Sequence, residues 1–197
     1  MCGIAGIMYK GTEGVFDTGE ALIRMLDACQ HRGPDSTGFA LYGQAHPGEL
    51  KLRFFLGTAS DSKTAIDTIR QRLLVLEAVI IDEGEIGDNY RVTVKYAGDV
   101  QKLAYEMEHT AKVISIGTSL EIVKDVGSAH EVDDRYAVHS YRGTHGLGHV
   151  RLATESDVKP EAAHPFWATG FADVAIVHNG QITNYWKMRR RLEQREF

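Results

Sequence analysis

Position 2, directly after the initiator methionine, holds a cysteine. A small residue there permits removal of the methionine, which would leave a thiol and a free α-amine on the same residue. An α-amine titrates at about 7.7–8.0, so it can take the thiol proton directly or through a water, and one residue then carries both nucleophile and base. The competing reading of a lone cysteine is a small hydrophobe in a buried strand. Cys29, the other cysteine, stands at no metal-ligand or redox spacing from Cys2. Three further segments concentrate glycines and polar side chains: His31-Arg32-Gly33-Pro34-Asp35-Ser36-Thr37-Gly38, Gly148-His149-Val150-Arg151-Leu152-Ala153-Thr154, and His178-Asn179-Gly180-Gln181-Ile182-Thr183-Asn184. Taken singly, each has an ordinary explanation as a tight loop, a strand bearing an arginine, and a hairpin turn at Asn-Gly.

The elements that must position these residues are legible from periodicity. Residues 2–9 read as a strand. Thr18 is placed to cap a helix running through Glu20 to Ala28, where apolar residues recur at helical spacing, and a strand follows at Phe39–Tyr42. Between about 50 and 126 the order becomes strand, helix, two strands, helix, strand, which predicts a ferredoxin-like βαββαβ unit. Its flanks, Gly43–Gly48 and Gly127–Asp134, are polar and Gly-containing and read as hinges. After it, His149–Thr154 and Val174–His178 read as core strands, with Gly143–Gly148 as the turn leading into the first. A basic helix, Tyr185–Gln194, follows, its Lys187–Arg195 run read as a solvated face.

Composition narrows the function classes. The 197 residues are 43% hydrophobic and 25% charged, which suits an ordinary globular protein and excludes a disordered tail. With 22 basic against 27 acidic residues, the net charge of −5 offers no basic excess for a polyanion, so nucleic acid is not an expected partner. Aliphatic runs such as Ala78–Ile81 fall far short of the roughly 20 residues that cross a bilayer, and the apolar start lacks the marks of a secretory signal. A cytoplasmic protein with no membrane contact is expected. His130, His139, His145 and His149 have no cysteine or carboxylate at ligand spacing, so no metal is expected.

The four segments that include Cys2-Gly3-Ile4-Ala5-Gly6, in this order and with Ala163-His164-Pro165-Phe166 between the last two, resemble the class II glutamine amidotransferases, a branch of the N-terminal nucleophile hydrolases. The resemblance covers residues 2–42 and about 142–190. It implies a four-layer αββα sandwich of the α+β class, here incomplete at its C-terminal end, formed by 1–49 and 127–197 and carrying 50–126 as the ferredoxin-like insertion. It further implies that Cys2 attacks the side-chain amide of L-glutamine to give a thioester and ammonia. Asn179 and the Gly180 amide match the oxyanion hole, Arg151 and Thr154 the grip on the substrate α-carboxylate, and Arg32 a residue bordering the thiol.

Two departures stand against the family pattern. Glu155 replaces the polar residue, often His, that follows the threonine. The Ser-Asp-Thr or Ser-Asp-Ser segment whose Asp binds the substrate α-amine does not occur before Phe197. With no acceptor domain encoded, the resemblance implies a glutaminase subunit without a cofactor of its own, in a hetero-oligomer. Its ammonia would pass to a separate synthase subunit of the glutamate synthase or N-methylglutamate synthase type, where the companion is flavin-dependent. A second reading is a non-catalytic regulatory or assembly subunit that keeps the fold without turning over glutamine.

Overall fold

The computed structural model of the chain describes residues 2–10, 15–57, 62–153 and 157–195. Its first sheet has the strand order β1-β8-β2-β7, built from Gly3–Met8 (β1), Ser36–Tyr42 (β2), Leu120–Val126 (β7) and His145–Arg151 (β8), all antiparallel. Side chains alternate between faces along a strand. On one face Phe39, Leu41, Val123 and Val150 pack beneath α1 (Thr18–Asp27) and α4 (Ala129–Tyr136), which contribute Leu22, Ile23, Leu26, Val132 and Tyr136. The opposite face carries Ala40, Tyr42, Leu120 and Ile122, covered in part by Trp167 and Ala175 from the short pair β9 (Phe166–Trp167) and β10 (Ala175–Ile176).

The second sheet has the order β4-β5-β3-β6, from Glu49–Phe55 (β3), Val79–Ile86 (β4), Asn89–Lys95 (β5) and Lys112–Gly117 (β6), again antiparallel. Leu50, Leu52, Phe54, Val92 and Val94 form a core with Ile66, Ile69 and Leu73 of α2 (Ser62–Val75) and Leu103 and Met107 of α3 (Val100–Glu108). The alternate positions Arg53 and Arg91 point the other way and both reach Glu121 of β7, at 2.9 and 3.0 Å. The chain is therefore an α+β protein with antiparallel sheets. Among the described residues, no helix is long and apolar enough to cross a membrane.

Several elements differ from the sequence reading. Leu120–Val123, read together with Val113–Ile116 as the end of the inserted unit, lies in β7, which belongs to the first sheet and pairs with β2. Its neighbour in sequence, β6, sits in the second sheet, and nothing local in Gly117–Leu120 tells the two apart. The hinge expected at Gly127–Asp134 is largely helix α4. Ser128 and Glu131 form a reciprocal capping box there, satisfying the first-turn amides despite the polar composition. Thr18 is the first residue of α1 and not its cap, because its hydroxyl donates to the Gly143 carbonyl at 2.8 Å. The turn expected at 143–148 is already strand from His145. The strand expected at Val174–His178 shrinks to Ala175–Ile176, and Val174 and Ile176 are exposed, since β9 and β10 touch the first sheet on one side alone. Helix α5 (Tyr185–Glu193) lies where the basic run predicts it, with every residue exposed.

Candidate active site

The β1–β8 register pairs Gly3 with Val150, so continuing it by one step sets Cys2 opposite Arg151. Contacts at the end of the ladder agree with this. The Leu152 backbone N–H lies 3.4 Å from Cys2 Sγ, the thiol faces the Leu152 carbonyl at 3.8 Å, and two side chains converge on the Cys2 carbonyl oxygen. Asn179 Nδ2 donates to that oxygen at 2.8 Å and Arg32 Nε at 3.2 Å. Cys2, Arg32 and Asn179, with Gly3, Ile4 and Cys29, line a cavity of about 370 Å³. Three segments that are about 30 and 150 residues apart along the chain are thus tied to one backbone atom.

Local sequence explains how the Arg32 loop reaches this place. Gln30–Arg32 makes a single 3-10 turn after α1, and Gly33 follows against β8, where a Cβ would stand 2.5 Å from the Val150 carbonyl. Asp35 then binds the end of β8 twice, its N–H donating to the Arg151 carbonyl at 3.0 Å and its carboxylate accepting the Ala153 N–H at 2.7 Å. The sequence reading gave Asp35 no role. The side chain of Arg151 is buried and donates to the Asp157 carbonyl at 3.3 Å. Gly180 is exposed beside Asn179, and Thr154 and Glu155 lie outside the described residues. The structure therefore brings Cys2, Arg32 and Asn179 together, with Arg151 one position before the amide that meets the thiol.

A polar layer beneath the Asn179–Gly180 turn was not assigned from the sequence. In register across the first sheet, Lys124, Gly38, His149 and Ile4 form one row, on the face away from α1. Over Gly38 sits the His164 backbone, whose carbonyl oxygen would be 2.1 Å from any Cβ at that position, so only glycine admits it. The His164 ring stacks on His149 with centroids 4.5 Å apart and meets the Phe166 edge at the same distance. Lys124, almost fully buried, donates to the Ala163 carbonyl at 2.9 Å, and its burial lowers its pKa to about 8. Burial, together with the surrounding cations, depresses His149 to about 4 and His164 to about 3, so both rings are neutral near pH 7. The available signals were the glycine in a buried strand and the Ala163–Phe166 motif. The three histidines considered with His149 as a metal cluster have separate partners: His130 meets Asp27, His139 meets Asp133, and His145 stacks on Tyr42.

The chain is 38% identical over 204 residues to a protein of Methanothermobacter thermautotrophicus described as a glutamine amidotransferase, covering 99% of this chain and 66% of the relative. It is 35% identical over 195 residues to the glutamine amidotransferase-like protein GlxB of Rhizobium meliloti, covering 98% and 62%. It is also 45% identical over 76 residues to the glutamine–fructose-6-phosphate aminotransferase of Aeropyrum pernix, covering 39% and 12%. The chain spans just under two thirds of the length of the two relatives that it matches from end to end. No family model matches it. A cysteine at position 2 held by the Arg32 loop and by Asn179, on a chain aligned almost throughout with such relatives, leads to one assignment: the chain belongs to the class II glutamine amidotransferases.

Proposed function

We propose that this chain carries the glutaminase site of an ammonia-supplying enzyme. The observation that carries the reading is the convergence of Arg32 and Asn179 on the Cys2 carbonyl, beside a cavity, with the Leu152 amide against the thiol. In this reading Met1 is removed and the new α-amine takes the Cys2 thiol proton. Sγ attacks the side-chain amide carbon of L-glutamine, and negative charge develops on the former carbonyl oxygen. Asn179 Nδ2 and the Gly180 N–H donate to that oxygen, ammonia leaves with the transferred proton, and water cleaves the γ-glutamyl thioester to glutamate. Arg151, with Thr154, holds the substrate α-carboxylate, for which a planar guanidinium fork is suited. No step of this reading draws on a cofactor.

The same reading makes the first sheet and the β9–β10 pair part of a four-layer αββα sandwich, and β3 to β6 with α2 and α3 a ferredoxin-like insertion. Layering of α1 and α4 on one face and β9–β10 on the other supports the first, and the strand order β4-β5-β3-β6 supports the second. A separate synthase subunit of the glutamate synthase or N-methylglutamate synthase type, in the cytoplasm, receives the ammonia. Relatives matched along nearly the whole chain, both named for glutamine amidotransfer, favour glutamine as the donor.

The test is capture by an electrophilic glutamine analogue, a diazo-ketone, read by intact mass. Loss of Met1 with one adduct on Cys2, absent in Cys2→Ala, is the expected result. Met1 retained, or a processed chain that takes no adduct and releases no ammonia from glutamine, refutes the assignment.

A further inference from the structure

We infer that His149 and His164 are positioning residues that set the Asn179–Gly180 turn for its oxyanion role, by holding the backbone of His178 from both sides. The inference rests on the glutaminase reading above and adds to it two residues with no role there. The His178 N–H donates to His164 Nδ1 at 3.2 Å, and His149 Nε2 donates to the His178 carbonyl at 3.2 Å. Both peptide groups that lead into Asn179 are thereby fixed by imidazoles, which are themselves stacked on each other.

The hydrogen bonds dictate the protonation states. His164 must keep a lone pair on Nδ1, so it is neutral with its proton on Nε2. His149 must carry its proton on Nε2, which leaves Nδ1 as a buried acceptor, with no partner among the described residues. Burial holds both rings neutral, and the charged groups around them act in the same direction. Arg151 on β8 and Lys124 on β7 both disfavour a further positive charge.

The support beneath the pair is equally specific. Lys124 donates to the Ala163 and Glu161 carbonyls, at 2.9 and 3.3 Å, and its ammonium lies 4.5 Å over the Phe166 ring, so the segment before and after His164 is held down. Gly38 leaves the space that the His164 backbone occupies. The sheet thus fixes His164, His164 fixes His178, and His178 presents Asn179, whose side chain reaches Cys2 at 2.8 Å. A plain structural histidine would not need an acceptor nitrogen at one particular ring position.

The experiment compares His164→Leu with His164→Asn in the full chain, since an asparagine Oδ1 stands near the place of Nδ1 and still accepts a hydrogen bond. Two readouts are taken: hydrogen exchange of the peptide spanning 174–184, and glutamine turnover. In His164→Leu the peptide should exchange about three- to tenfold faster, the loss of one hydrogen bond, while peptides of β1 and β8 stay unchanged. Turnover should fall about 10²-fold in kcat at unchanged KM, the effect of a displaced oxyanion donor. His164→Asn should recover most of both. Wild-type exchange in His164→Leu, or a leucine variant no worse than asparagine in both readouts, overturns the inference, as does faster exchange with undiminished kcat. A wild-type chain that releases no ammonia would refute the glutaminase reading, and the exchange data would still decide whether the two histidines hold the turn.

Discussion

Glu121 joins the two sheets, and its removal should be the most costly single change away from the active site. Its carboxylate accepts from Arg53 Nη2 at 2.9 Å and Arg91 Nε at 3.0 Å, and the Arg53–Glu121 pair leaves only 6% and 7% of the two side chains exposed. Glu121→Gln leaves Arg53 buried without its counter-charge, which costs about 3–5 kcal/mol for a buried pair. Arg91 adds little to this, because it is 28% exposed and keeps Asp82 at 2.8 Å. For a chain of this size the cost corresponds to a fall in Tm of roughly 6–20 °C. Burial alone would raise the Glu121 pKa, but Arg53 and Arg91 outweigh it and hold the carboxyl below its ordinary value. A folded-state pKa below the unfolded one means that the stabilisation is complete above about pH 4.3 and disappears as pH falls through the folded value. Urea denaturation of wild type and Glu121→Gln from pH 7 to 3.5 should therefore give a constant gap down to about pH 5 and a shrinking one below the ordinary carboxylate range. Replacing both partners, as Arg53→Met with Glu121→Leu, should cost less than the single change. A gap under about 1 kcal/mol at pH 7, or one that persists unchanged in acid, would refute the account.

Gly38→Ala should lower kcat by about 10²-fold, because the new Cβ forces the His164 carbonyl, otherwise 2.1 Å away, to move by about 1 Å, and the turn above it moves too; an unchanged kcat with intact folding would count against it. Arg151→Lys should weaken glutamine capture by roughly 10- to 100-fold through loss of the guanidinium fork, with a smaller effect on kcat, measured as KM in an ammonia-release assay. Asp173→Asn should cost about 1.5–3 kcal/mol in urea denaturation: its carboxylate accepts from the Thr118, Ser119 and Leu120 amides and two hydroxyls, and asparagine tolerates its φ of 62°. Burial would raise the Asp173 pKa, but these donors lower it, so its contribution too is present above the ordinary carboxylate pKa and lost in acid.

Much of this was readable from the sequence, for identifiable reasons. Leu22, Ile23 and Leu26 recur at helical spacing and are buried, so α1 shows itself, as does the alternation of Leu50, Leu52 and Phe54 in β3. Cys2, Arg32 and Asn179 were legible through four motifs in order, and the structure ties them to one carbonyl oxygen. What was not legible depends on distant partners. The assignment of β7 to the first sheet follows from its pairing with β2, some 80 residues earlier. The role of His164 depends on the His178 amide and on a gap at Gly38, and neither is encoded near position 164. Helix α4 was legible in principle, since Ser128 and Glu131 stand three apart, but the polar and glycine residues around them outweighed the cap.

The register between β1 and β8 is the feature on which the chemistry turns. Along β8, Gly146, Gly148 and Val150 meet α1, while His145, Leu147, His149 and Arg151 face the other way. Pairing Gly3 with Val150 puts the small glycine on the helix side, where a Cβ would strike Cys29 Sγ at 2.8 Å, and sends Cys2 to the face of Arg151 and His149. A slip of β1 by one residue would turn its side chains to the opposite faces. The thiol would then turn to the helix-side face, toward Cys29 and away from Arg151 and His149. Because a Cβ at position 3 would strike Cys29 Sγ and Val150 Cγ2, both at 2.8 Å, packing on the helix side favours this register, and the register sets Cys2 opposite Arg151. Steric exclusion on the far side of the sheet thus acts together with Arg32 and Asn179, which hold the Cys2 carbonyl, in setting the position of Cys2.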